Sequence, residues 1–459
     1  MSSSGNYVEV TTSSKSFEIL AMSKTASRTR NPIRAIVDSM KRDMSDSRSH
    51  IPLSLGDPTI FGNLLPPRAL TTGVEKALHS STHNGYVHSA GSAEARQAVA
   101  ERTEESIVTS ITRQGNNSTK SLLCRPSLSF EDVVMASGCS GAIELCISTL
   151  LNEDDLLLVP APGFPLYTTI SDSRGVRVCH YKLLPEKKWE ADLNHLEEIM
   201  ISETSNPLNV GRKTVLLVNN PSNPCGSVYS REHLSLLLSF AEKWKIPVIA
   251  DEIYANVVFP GGETFTPMAS ITEFSNVPIV SAGGIAKEFF VPGWRIGWAI
   301  IHETSGEPVM ANIRRGIVSM TQLIMAANSL CMSALPSILR PIKGSENEAA
   351  LVEYKTASIK ILSDNANLCV QRTLSIKGLT AIAPQGAMYL MIGIDCELFG
   401  FKDDVEFSQL LLQEQNVFVL PGQCFTCPNF VRIVSCAPAA ILNDAFDRIE
   451  AFCEARRRK

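Results

Sequence analysis

Between about residues 70 and 325 the chain alternates short apolar runs with longer stretches of helical periodicity, and this alternation restricts the possible folds severely. The runs cover residues 133–136, 156–159, 176–181, 215–218, 247–250, 278–281 and 296–301. Each has the length of a buried strand and is too short for a core helix. Continuous apolar runs separated by helices build a mostly parallel sheet covered on both faces. The expectation is an α/β domain over residues 70–330 with a mostly parallel seven-stranded sheet. Ligands of such sheets bind beyond the carboxyl ends of the strands, so the residues just after each run are where chemistry should collect.

The flanking segments read differently. Residues 331–459 carry long helical stretches and then short strands around 387–392, 417–420 and 431–434. That pattern implies a smaller α+β domain, completed by residues 31–69. Within the latter, 31–44 reads as a short helix with Pro32 in its first turn and Ile33, Ile36, Val37 and Met40 on one face. S-L-G-D-P at 54–58 reads as a turn after a short strand. Residues 1–30 are rich in Ser and Thr and lack periodicity early on, so a disordered extension is expected.

Composition excludes several classes. A net charge of −5 over 459 residues gives no reason to expect nucleic-acid binding. The apolar stretch 133–151 carries Glu144 and is broken by Gly138 and Gly141, which argues for a strand plus a buried helix and against a membrane span. Twelve cysteines in a chain this long are no disulfide scaffold. Free thiols suit a reducing compartment and point to the cytoplasm; Lys15, Lys24 and Arg28 would suit a mitochondrial presequence, but Glu9 and Glu18 oppose it. Cys424 and Cys427 form a CxxC with no second pair at zinc spacing. Asn116 and Asn117 form overlapping sequons that matter only in a secreted chain.

Chemistry concentrates at the strand ends. After 278–281 come Gly283-Gly284, then Lys287 flanked by Ile285-Ala286 and Phe289-Phe290. A surface lysine is the ordinary reading, yet apolar neighbours desolvate an amine and free its lone pair for a Schiff base with an aldehyde. Arg295, across a Pro-Gly turn, would hold an anion nearby. After 133–136, S-G-C-S-G opens a helix whose free N–H groups suit a phosphate. After 215–218, Asn223 in N-N-P-S-N-P-C-G can offer an amide, or simply sit in a turn. After 247–250, Asp251 ends a buried run and needs either a cation or a proton, unless it caps a helix. Tyr254 lies one helical turn on. Phe164 can stack on a ring or fill a core. Arg432, inside the apolar F-V-R-I-V, needs an anion, and a carboxylate matches its fork. Together these are the complement of pyridoxal 5′-phosphate and an amino acid.

The chain also resembles the aminotransferase family of fold-type-I pyridoxal-phosphate enzymes over about residues 31–454. The stretches that carry the resemblance are N-P-I-R-A-I-V-D (31–38), S-G-C-S (137–140), V-N-N-P-S-N-P-C-G-S-V (218–228) and A-D-E-I-Y (250–254), followed by G-G-I-A-K (283–287), V-P-G-W-R-I-G-W (291–298), G-A-M-Y-L-M (386–391) and D-V-E-F (404–407). The resemblance implies that Lys287 is joined to the cofactor aldehyde and that Asp251 pairs with the pyridine nitrogen. It further implies Asn223 and Tyr254 on the ring oxygen, Phe164 on the ring, and Cys139, Ser140 and Arg295 around the phosphate. Arg432 would bind the substrate α-carboxylate, with Gly56 lining the substrate side. Tyr86 would reach the phosphate of the neighbouring subunit in a homodimer with shared active sites. Gly284 stands where many relatives carry a hydroxyl residue, so that phosphate contact is either absent or replaced, Ser281 being one candidate. The implied activity is transamination of L-tyrosine and related amino acids with a 2-oxo acid acceptor. Another enzyme of the same scaffold, of alanine or kynurenine type or a carbon–sulfur lyase, would share every residue named. A ligand-sensing regulator would need a DNA-binding module, and the first 30 residues are too short for one.

Overall fold

The computed structural model describes residues 19–113, 126–303, 308–325 and 327–457. The sequons at Asn116 and Asn117 and the first 18 residues of the expected extension lie outside the described residues.

Strand β1 (Ile51–Pro52) precedes a central eight-stranded sheet. That sheet consists of β2 (Val133–Ser137), β3 (Leu156–Ala161), β4 (Arg177–Leu184), β5 (Glu190–Ala191), β6 (Thr214–Asn219), β7 (Val248–Asp251), β8 (Ile279–Gly284) and β9 (Ile296–His302). Their order is β2-β9-β8-β7-β6-β3-β4-β5. Neighbours from β8 through β7, β6 and β3 to β4 are parallel. β9 runs antiparallel between β2 and β8. Every expected run is a strand. The eighth, β5, is a two-residue antiparallel edge on β4, too short to leave a periodic signal in sequence.

Residues alternate between the two faces as the pleat requires. Val215, Leu217, Ile249 and Val280 pack under the helix Gly138–Leu150, while Leu216, Val218, Val248 and Ile279 face the helices Ala93–Thr112 and Arg231–Trp244. Where β9 passes the start of the helix Gly138–Leu150, a Cβ on Gly297 would lie 2.2 Å from the Gly138 carbonyl carbon. Only glycine permits that approach, and it brings Arg295 beside the helix N-terminus.

The smaller unit has a four-stranded antiparallel sheet of β10 (Leu379–Ala381), β11 (Tyr389–Ile394), β13 (Leu420–Pro421) and β14 (Phe430–Val434), in the order β10-β11-β14-β13. β12 (Val417–Phe418) pairs in parallel with β1, so the N-terminal segment completes this unit. The helix Leu335–Leu339 packs with Leu70 and Ala98 in the large core. The long helix Glu346–Ser375 packs Leu351 in the large core and Leu362, Ala366 and Cys369 in the small one.

Two N-terminal expectations are corrected. Lys24–Arg28 is a short helix rather than disordered chain, because Ser23 caps it and Arg28 pairs with Glu153 at 2.8 Å. The helix expected over 31–44 is only Pro32–Val37, capped by Asn31, whose side chain accepts from Ile33 and Arg34. The chain leaves the helix at Asp38, and Ile33, Ile36 and Val37 pack on Leu420, Cys424 and Phe425. No helix among the described residues is long and apolar enough to cross a membrane.

Candidate active site

The carboxyl ends of β2, β3, β6, β7 and β8 and the start of β9 share one edge of the sheet. Between that edge and the small unit lies a cavity of about 380 Å³. Lys287, Asp251, Tyr254, Asn223, Phe164, Cys139, Ser140, Arg295, Gly56 and Arg432 all line it, so ten of the eleven expected site residues meet in one place.

The floor comes from the large sheet. Asp251 ends β7 and is 4% exposed. Its carboxylate accepts from the Tyr167 hydroxyl at 2.6 Å, the Cys139 thiol at 3.5 Å and the Ile253 N–H at 3.2 Å. All three donors are neutral, and burial pushes the carboxyl above its ordinary value. Lys287 sits in a single turn after β8, where the Phe289 N–H donates to the Ile285 carbonyl at 3.0 Å. Its Nζ donates to the Gly56 carbonyl at 2.6 Å. Gly138, with φ of 71°, turns β2 into its helix, and a Cβ there would lie 2.6 Å from the Arg295 guanidinium. Arg295 donates to the Ser137 carbonyl at 3.1 Å. A guanidinium is thereby held against a helix N-terminus, with Ser140 in the first turn: an anion site by position and charge.

The wall comes from the small unit. Arg432, at the middle of β14, is 3% exposed. It donates to the Asn223 side-chain oxygen at 2.9 Å and to the Ser54 carbonyl at 2.9 Å. Its guanidinium carbon lies 4.3 Å from the Tyr389 ring centroid and 4.6 Å from that of Phe425. Burial pulls its pKa down, and its Nε is buried without a partner. Since Asn223 accepts through its oxygen, its amide nitrogen is left as a donor. The Tyr254 hydroxyl donates to that of Tyr389 at 2.8 Å, and burial pushes the Tyr254 phenol well up. Gly56 is required by the same tyrosine, since a Cβ there would lie 2.5 Å from the Tyr389 oxygen.

Two expectations fare differently. Tyr86 does not line the cavity within one chain and stands 93% exposed. Ser281 is corrected as a candidate replacement for the missing hydroxyl: its Oγ is tied to His302 Nε2 at 2.8 Å, and it does not line the cavity. A side chain at Gly284 would meet the Ile296 carbonyl at 2.8 Å, so β8 and β9 approach too closely for one. The CxxC thiols are also unreactive in character, burial raising Cys424 and Cys427 to about 12.

Tyr167, Tyr389, Asn219 and Ser54 complete the site and were not singled out by sequence. Tyr167 follows Phe164 by three residues on the helix Leu166–Arg174, which was its available signal. Asn219 binds the Asn223 N–H at 2.7 Å and donates to the Asp251 carbonyl at 3.2 Å, joining two strand ends. Tyr389 and Ser54 act through contacts from distant segments, which no local pattern encodes.

Residues 48–449 match the family model for aminotransferase class I and II. The tyrosine aminotransferase of Mus musculus is 41% identical over 432 residues, 94% of this chain and 86% of that protein. That of Dictyostelium discoideum is 41% identical over 438 residues, 95% of this chain and 97% of that protein. The crystal structure of tyrosine aminotransferase from Leishmania infantum has a TM-score of 0.83 at 34% identity, covering 96% of this chain and 100% of that one. With a strand-end cavity of this composition and a family match across most of its length, the chain belongs to the class I and II aminotransferases.

Proposed function

We infer that this aminotransferase uses pyridoxal 5′-phosphate to move the amino group of L-tyrosine and related aromatic amino acids to a 2-oxo acid such as 2-oxoglutarate or pyruvate. The observation that carries the reading is a pair of buried charges on one cavity with no counter-ion among the described residues. Asp251 has only neutral donors, and Arg432 has an unpartnered Nε and no carboxylate partner among the described residues. A protonated pyridine nitrogen supplies the missing cation and an α-carboxylate the missing anion. The helix N-terminus with Ser140 and Arg295 suits the phosphate. These residues fit the cofactor.

When bound, pyridoxal phosphate supplies an electron sink for the substrate α-carbon. Lys287 Nζ holds the aldehyde and, once released, takes the proton from the α-carbon as general base. Asp251 keeps the pyridine nitrogen protonated. Asn223 would donate to the ring oxygen, and so would Tyr254 once its hydroxyl turns from Tyr389 and accepts that residue's proton instead. Phe164 would cover the ring, and Cys139 and Ser140 would sit beside the phosphate. Arg432 fixes the amino acid by its carboxylate. Ile33, Val37, Leu55, Phe418 and Leu420 give the cavity an apolar wall that suits an aromatic side chain. The names of the relatives support the same substrate.

A homodimer is part of this reading. Tyr86 is exposed within one chain, and Leu323 and Ile324 are 71% and 70% exposed beside the helix Gly138–Leu150. Both features suit a face covered by a second copy. The eleven free cysteines among the described residues support a reducing compartment such as the cytoplasm.

The test is a half-reaction screen of the purified holoenzyme against single amino acids, followed by cofactor absorbance. Tyrosine should react at least as fast as aspartate. A clear preference for aspartate would refute the aromatic reading while leaving the family intact.

A further inference from the structure

Glu288 follows Lys287 directly and faces away from the cavity that Lys287 enters. It is 8% exposed, yet it is an acid in the middle of an apolar turn, between Ile285 and Phe289, both fully buried. The Arg102 guanidinium grips both its oxygens, at 2.5 and 2.7 Å, and Lys355 Nζ lies 2.9 Å from one of them. Burial alone would raise the carboxyl, but Arg102 and Lys355 together outweigh it and hold it below the ordinary glutamate range. The two cations come from different parts of the molecule. Arg102 stands on the large-unit helix Ala93–Thr112, and Lys355 on the helix Glu346–Ser375 that carries the chain into the small unit. Both also lie over the Phe289 ring, at 5.9 and 5.8 Å, and Phe289 stacks on Tyr354 of the same long helix.

Neutral residues would fill this space with less desolvation, since a buried ion pair seldom outperforms apolar packing. What the triad adds is direction. Lys287 and Glu288 are adjacent on one helical turn, so fixing one side chain fixes the rotation of the turn that aims the other. We propose that Glu288 is a positioning residue for Lys287: held by Arg102 and Lys355, it locks the turn that directs the lysine into the cavity and ties that turn to the small unit. This rests on the reading of Lys287 as the residue that holds pyridoxal phosphate.

Three variants and three measurements test it. Glu288→Gln, Lys355→Met and the double variant are prepared as apoenzymes. Capture of pyridoxal phosphate on Lys287 is timed by borohydride quenching and peptide mapping. The single-turnover reaction with tyrosine and the melting temperature are measured alongside. Misplacing a reacting group by about 1 Å costs about a hundredfold, so Glu288→Gln should slow capture and single turnover about ten- to a hundredfold, with the limiting single-turnover rate falling and its half-saturating tyrosine concentration near wild type. Lys355→Met loosens one arm, a partly exposed pair, and should slow both about two- to fivefold. The double variant removes one of the two cations left facing a neutral amide, so its melting temperature should recover while its capture stays slow. Recovery of capture together with melting temperature would show that the triad only balances buried charge, and would overturn the proposal. Should Glu288→Gln not fold, Lys355→Met decides: slowed capture at an unchanged melting temperature supports the proposal, and wild-type capture overturns it. A tag on another lysine in the wild-type protein removes the proposal together with the reading it rests on.

Discussion

Asp251 and Arg432 are both nearly fully buried charges on the same cavity, but they are held in opposite ways. Asp251 is served entirely from the large unit, by Tyr167 and Cys139 on the helices that follow β3 and β2 and by Ile253 just after β7. Arg432 is served by three separate pieces: Ser54 from the N-terminal segment, Asn223 from the loop after β6, and the rings of Tyr389 and Phe425 from the small unit. The floor is therefore a local property of strand ends, whereas the wall exists only when the two units and the N-terminal segment are assembled. Cofactor retention should follow the floor and substrate recognition the wall.

The comparison breaks first at the floor. Lys287→Ala should still bind pyridoxal phosphate non-covalently but lose nearly all turnover, with about 10²–10⁴-fold from the general base alone. Borohydride mapping should tag Lys287 in the wild type and nothing in the variant. Asp251→Asn leaves a buried cationic ring without its partner, a loss of about 3–5 kcal/mol, or roughly a hundred- to several-thousandfold. That loss should show in cofactor affinity and in the rate with every amino acid alike.

At the wall the effect should divide cleanly. Arg432→Ala removes one partner of a buried charge-assisted pair, costing about 2–5 kcal/mol, roughly thirty- to several-thousandfold in kcat/KM. Cofactor affinity measured by equilibrium dialysis should stay near wild type. An equal loss of cofactor and substrate would erase the distinction between floor and wall. A loss confined to dicarboxylic substrates would move Arg432 to a distal acid.

The same division explains what was legible in sequence. The floor residues Lys287, Asp251, Asn223 and Cys139 each follow an apolar run by a few positions, so strand periodicity marks the segments that hold them and the family resemblance picks out the residues. Arg432 is legible for another reason, as a charge inside an apolar strand. Tyr389, Ser54 and Glu288 are not legible, because their meaning lies in partners separated by about 40 to several hundred residues. Tyr389 meets Tyr254 from 135 positions away, and Glu288 meets Arg102 from 186. The eighth strand and the helix Lys24–Arg28 escaped for lack of length, two and five residues leaving no period to read.

Two adjacent carboxylates refine the picture of the floor. Asp251 faces the cavity; Glu252 turns away and accepts from the Met268 N–H at 2.9 Å. Burial, reinforced by Asp251, raises Glu252 from 4.5 to about 7. Its folded pKa exceeds its unfolded one, so the folded state binds the proton more tightly. The cost is absent below pH 4.5, grows as pH rises to about 7, and is complete above that. Glu252→Gln should therefore stabilise the protein above pH 7 by on the order of 2 kcal/mol and have no effect near pH 4. Because no ligand is expected to meet Glu252, the gain should be equal with and without cofactor. A gain seen only in the apoenzyme would place Glu252, like Asp251, on the cofactor side.

Tyr86 belongs to neither floor nor wall of its own chain, and the smallest effect is expected there. It stands 93% exposed in the stretch before the helix Ala93–Thr112. If its hydroxyl donates to the phosphate in a second copy, Tyr86→Ala loses one charge-assisted hydrogen bond, about 1.5 kcal/mol, or about tenfold in cofactor affinity. Such a loss alone would not say which chain supplies the hydroxyl. Mixing two defective proteins does. One carries Tyr86→Ala with Lys287 intact, the other Lys287→Ala with Tyr86 intact. In a mixed dimer, the site with the good lysine receives the good tyrosine from its partner, and the other site lacks both. Unfolding and refolding an equal mixture should place roughly half of the intact lysines in complete sites, as random pairing in a two-fold dimer requires. At subsaturating cofactor, activity per intact lysine should then rise above that of Tyr86→Ala alone. If Tyr86 serves its own chain, no complete site can form by exchange, and mixing gains nothing.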